Sequence, residues 1–151
     1  MTVIIEDDYV DKDYQDEFTA FYSRAFKIYT QRCTRLHFFA KDIPTDTSFL
    51  DLGRFREQYL GFIVLRPTDL QKIGRPILKP FINDPNTEFV SCKAKFYSHI
   101  AGEKFTIDAM PFIQQDTQVG ACAQAALWMV ARYMSQRFGY REFMPGEINY
   151  L

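Results

Sequence analysis

A thiol performs acyl transfer as its thiolate, and the first turn of a helix favours that form because unpaired backbone N–H groups and the helix macrodipole converge there. Cys122 holds such a position. It lies at the start of ACAQAALWMVARYMSQRF, a segment with no Gly or Pro and five alanines. Acyl transfer also needs hydrogen-bond donors for the oxyanion, which a carboxamide NH₂ and the backbone N–H of the cysteine can supply. Gln114, Gln115 and Gln118 all lie within eight residues upstream of Cys122. Gly120 and the small Ala121 and Ala123 let a substrate backbone approach closely. The chain has two histidines to offer as a base, His37 and His99, both upstream. His99 alternates with Tyr97 in a strand-like run and His37 lies among Leu36, Phe38 and Phe39; isolated strand histidines are ordinarily packed or surface side chains. Asp108 and Asp116 are acids that could orient a base, and no feature of the sequence selects either. The plain alternative for Cys122 is a small apolar side chain in a core, and for the glutamines a solvated loop.

The elements that must position these residues are legible from periodicity. Tyr14, Phe18, Phe21, Tyr22 and Ala25 predict an amphipathic helix over 13–25, and Phe26, Ile28 and Tyr29 a strand after it. A short strand is expected at Thr34–Phe39, then a loop from Lys41 to Ser48. YLGFIVL at 59–65 reads as a strand buried on both faces. Prolines and glycine punctuate 67–87, leaving room for short extended pieces such as Ile77-Leu78. Alternation over Phe89–Ile100 and Lys104–Met110, with Ala101-Gly102-Glu103 between, predicts a β-hairpin. The alanine-rich segment, apolar around most of its circumference, predicts a core helix whose end is brought back to water by Arg132, Gln136 and Arg137, with Gly139 as its stop. Met144–Ile148 looks like a loop entering one more helix.

On these residues, MPFIQQDTQVGACAQAALWMVARYM resembles the nucleophile region of papain-like cysteine peptidases, and most closely the bacterial C39-like branch. The likeness covers about residues 108–137. It implies an α+β fold: the N-terminal half of a papain-like core, with a β-hairpin packed on a buried central helix. It also implies a thiol hydrolase acting on a peptide or protein, with Cys122 as nucleophile and Gln115 as the oxyanion glutamine. Ala123 stands where the branch usually has Gly, and the gap from Gln115 to Cys122 is one residue longer than the commonest spacing, so Gln114 and Gln118 remain alternatives. The family's His and Asp or Asn follow the nucleophile helix, whereas no His follows Cys122 here. The expectation is an N-terminal fragment whose base lies on a missing C-terminal segment or another chain. The competing expectation is a non-catalytic protein-binding or structural domain derived from the same fold.

Composition bounds the remaining classes. The 151 residues, 47% hydrophobic and 17% aromatic, suffice for a single compact body, divided here into a β-rich region 1–107 with an amphipathic helix and a nucleophile-helix region 108–151. Residues 1–17 hold seven acidic side chains against Lys12 alone, a net of −6, and predict an acidic solvated arm or helix start. The rest of the chain nets +5 in a diffuse distribution, which argues against a nucleic-acid partner. Cys33, Cys92 and Cys122 are unevenly spaced, with no metal-ligand pattern and no disulfide framework, and Cys33 and Cys92 read as core residues. No cofactor is implied. Without a signal-like or membrane-length apolar run, a cytoplasmic location and no membrane partner are expected. An uncovered apolar helix face would be buried by self-association, so a homo-oligomer is expected.

Overall fold

The computed structural model describes residues 1–68, 72–80, 92–114 and 122–148. Its fold is mixed α+β. Four antiparallel strands, β1 (Thr2–Tyr9), β2 (Cys33–Phe39), β3 (Tyr59–Leu65) and β4 (Ile73–Leu78), form one sheet in that order. A separate hairpin of β5 (Ala94–Ile100) and β6 (Glu103–Ala109) lies against the sheet's inner face. The helices are α1 (Lys12–Ala20), α2 (Cys122–Phe138) and α3 (Pro145–Ile148), with 3₁₀ segments at Tyr22–Arg24 before β2 and at Phe49–Gln58 before β3. Among the described residues no helix is long and apolar enough to cross a membrane.

The hairpin follows the expected alternation. Ala94, Phe96, Ser98 and Ile100 turn inward opposite Ala109, Ile107, Phe105 and Glu103, while Lys95, Tyr97 and His99 face out. Ala101 and Gly102, with φ of 49° and 88°, make the two-residue type I′ turn that matches strand twist. Residues 89–91 of the expected first strand lie outside the described residues. Phe62, Val64 and Ile77 from the sheet, Phe96, Ile107 and Ala109 from the hairpin, and Tyr14 and Tyr22 near α1 share one core. Phe39, Tyr59, Leu52, Ile100 and Phe105 fill a second, with Tyr59 and Phe105 rings 4.9 Å apart.

Several expectations are corrected. The acidic N-terminus is the expected helix start from Asp11 onward but not a solvated arm: residues 2–9 form β1 along β2, and Asp11, Asp13 and Glu17 are buried. α1 ends at Ala20 rather than residue 25, and Phe26 and Ile28 stand exposed outside any strand. β3 is not buried on both faces, since its outward Leu60, Ile63 and Leu65 are only half-buried. β4 extends well beyond Ile77-Leu78, from Ile73. Cys33 is buried as expected, but Cys92 is exposed. α2 is helical as expected and stops at Gly139, whose φ of 74° is the left-handed geometry glycine permits. It is not a buried central helix, because Leu127 and Val130 are 54% and 56% exposed while Trp128 is sealed. Arg132, expected to return to water, is 1% exposed. Arg132 decides how α2 is held, because a buried guanidinium must find counter-ions.

Candidate functional site

Asp11 caps α1: its Oδ1 accepts from the backbone N–H of Asp13 and Tyr14 at 3.1 Å, satisfying two of the free donors of the first turn. Its other oxygen takes Arg75 of β4 at 2.7 Å. Two residues on, Asp13 faces two cations, Arg75 at 3.2 Å and Arg132 of α2 at 2.5 Å. Burial pushes the Asp13 carboxyl upward against the pull of these arginines. Arg132 also donates to Glu142, which Lys12 holds from the other side at 2.6 Å, and its guanidinium lies 4.8 Å from the Trp128 ring centre. Glu17, a turn further along α1, receives Arg66 at 3.0 Å. The acidic stretch of the sequence is therefore the counter-charge for buried arginines arriving from β3's end, β4 and α2.

These contacts tether α2 to the body of the protein. Trp128 adds an apolar anchor with Ile113 and Ile148, and the Gln124 amide donates to the Pro145 carbonyl. Cys122 is the first residue of this 17-residue helix, as expected. Its side chain, together with Asp116, Gln115 and Gln118, lies outside the described residues.

Gln114 is described, and it is committed to β4. Its backbone N–H donates to the Gly74 carbonyl at 3.2 Å and its Oε1 accepts from the Ile73 N–H at 3.0 Å, while its carbonyl accepts from Arg66 at 3.3 Å. With Phe112 N–H donating to the Pro76 carbonyl at 3.3 Å, residues 112–114 run along the edge of β4. This supplies partners for an edge that would otherwise be open.

The two histidines have unlike places. His37 is 0% exposed, with Nδ1 2.9 Å from the Tyr59 hydroxyl and Nε2 3.3 Å from Glu6 Oε2. Tyr59 continues the chain to the Ser98 hydroxyl at 2.8 Å, and Arg35 joins Glu6 through its Nε at 2.7 Å. Burial, then the charge of Arg35, lower the His37 pKa to about 4, so the ring is neutral and both nitrogens are engaged. His99 stands exposed on the outward side of β5, where its carbonyl accepts from Arg35 at 2.9 Å. Asp108 lines a hollow of about 320 Å³ with Arg56, Glu57, Tyr59 and Lys79. Among the described residues no group of three or more His, Cys, Asp or Glu could hold a metal ion.

Sequence reasoning missed the buried ion network. Its signal was the i,i+4 spacing of Asp13 and Glu17, which puts two acids on one side of a short helix capped by Asp11, but the cations come from positions 66, 75 and 132. No family model matches the chain, and neither does any curated protein or solved structure.

Proposed function

We propose that the chain carries the nucleophile-bearing half of a papain-like, C39-like thiol hydrolase acting on a peptide or protein. Cys122 is the nucleophile, and its base comes from outside residues 1–151. The observation that supports this reading is the start of a long helix at Cys122, a helix held to the body by Trp128 and Arg132. A thiol at that place meets the converging amide dipoles that favour a thiolate. Gln115 is the preferred oxyanion donor, with Gln118 and Gln114 as alternatives; the Gln114 side-chain oxygen is held to β4 by the Ile73 N–H. Neither His37, locked between Tyr59 and Glu6, nor the outward His99 suits the role of base.

The three cysteines make the test internally controlled. Alkylation by iodoacetamide at near-neutral pH, followed by peptide mass spectrometry, ranks their rates. Cys33 stays unmodified in the folded protein, since burial pushes its thiol up to about 12. Cys92 is exposed and sets the ordinary rate. Cys122 is expected to react about tenfold faster than Cys92; a rate equal to or below that of Cys92 refutes the hydrolase reading. The second reading, a non-catalytic protein-binding or structural domain, draws on the exposed Leu127, Val130 and Phe138 along α2 and is favoured by that slower outcome.

A further inference from the structure

The four-stranded sheet has its polarity distributed in an unusual way. An antiparallel sheet with one wet face normally turns apolar side chains to the core and polar ones to water. Here the inward face carries Glu6, Arg35, His37 and Arg75 among its apolar residues, all held by the hydrogen bonds and ion pairs described above. The outward face is apolar as well over most of its area, although it is not packed against any described element of the chain. Strand register aligns Ile5 with Leu36 and Leu36 with Ile63 in one row, and Val3 with Phe38 in the next. The β2 sequence Arg-Leu-His-Phe shows the choice plainly, because a one-residue slip would exchange the two faces. The polar network between sheet and hairpin fixes the register that leaves Leu36 and Phe38 outside.

Two features of this face select its occupant. The first is size. Four strands at about 4.8 Å spacing and seven residues at about 3.4 Å give a flat footprint of roughly 450 Å². Two such faces, with the relief of their side chains added, reach the roughly 1,000 Å² total that a specific interface needs. The second is shape. An apolar-walled hollow of about 280 Å³, formed by Met1, Phe38, Leu60, Ile63 and Leu78 with Lys79 at its rim, lies on the same face as the protruding Ile5, which is 61% exposed. A hollow and a projection on one surface are what a two-fold, self-complementary contact requires. We propose that the outward face of β1–β4 is the interface at which a second copy of this chain docks, sheet against sheet. The contact is independent of the thiol chemistry proposed above.

Light scattering after size-exclusion chromatography at micromolar concentration tests this on the full chain. The expected mass is twice the chain's 17.8 kDa. Ile5→Glu, at an exposed position on an edge strand, is expected to weaken the dimer by at least about tenfold. Val130→Glu, on the exposed side of α2, is expected to leave it intact. A wild-type monomer overturns the proposal, and so does a dimer that Val130→Glu dissolves and Ile5→Glu does not. Should Ile5→Glu fail to fold, amine cross-linking of mixed ¹⁴N- and ¹⁵N-labelled wild-type chains decides. Interchain links among Met1, Lys72 and Lys79, at the two ends of the sheet face, support it; interchain links confined to Lys95 and Lys104 of the hairpin refute it.

Discussion

Replacing Arg132 by Met removes a charge from the centre of the ion network while keeping most of the side chain's length against Trp128. Arg132 and Asp13 are 1% and 2% exposed, so their pairing is shielded from solvent and salt. At an effective dielectric of about 20, each ion pair with centres about 4 Å apart is worth roughly 4 kcal/mol, or about 8 kcal/mol gross for Asp13 and Glu142 together. Much of this is offset, because the variant no longer desolvates a guanidinium. The two acids also retain partners, Arg75 for Asp13 and Lys12 for Glu142. The net loss expected is about 3 kcal/mol, at the low end for breaking a buried pair. Trp128 is the one tryptophan in the chain and is fully buried beside Arg132, so its fluorescence reports urea unfolding at the point of change. The variant's urea midpoint should fall with little change in slope. Asp13→Asn and the double variant complete a cycle whose coupling energy should exceed about 1 kcal/mol. A loss under about 0.5 kcal/mol, the value of a surface substitution, would refute the account of Arg132 as a buried counter-ion.

Two further outcomes follow from the fold. His37, with its pKa lowered from 6.5 to about 4, lets the unfolded chain take up a proton first as pH falls. Its contribution is complete above about pH 6.5 and is lost as pH falls toward 4, by up to about 3 kcal/mol. Urea midpoints measured across that window should fall steeply for the wild type and more shallowly for His37→Gln; parallel slopes would refute the assignment. Gly61 has φ of +118°, and a Cβ there would stand 2.0 Å from the Ile77 carbonyl oxygen, so Gly61→Ala should cost more than about 3 kcal/mol. Gly102→Ala, in the hairpin turn with open space around it, should cost only about 1 kcal/mol by thermal melting, and equal losses would refute the difference drawn between them.

Local chemistry carried much of the fold into view. β2, β3, the β5–β6 hairpin, the extent of α2 and the glycine after it were legible because each depends on period, turn residues and propensity within a few neighbouring positions. The β1 strand was hidden by its own composition. Glu6, Asp7 and Asp8 suggest a solvated arm, and nothing within Thr2–Tyr9 reveals that Arg35 waits on the next strand to receive Glu6. The same holds for α2. Its apolar circumference reads as burial on all sides, yet the structure buries Trp128 and Arg132 and exposes Leu127 and Val130.

The sequence by itself determined β2, β3, the hairpin and α2, with Cys122 at a helix start, because these depend on interactions between residues close along the chain. Tertiary structure alone decided the side each element shows to the interior. Asp13 and Arg132 are 119 positions apart, and no local pattern records that they meet. Once Asp11, Asp13 and Glu17 are matched to Arg75, Arg132 and Arg66, the charges can be buried. Those long-range pairs offset the cost of burying the charges, which no local pattern along a single segment can reveal.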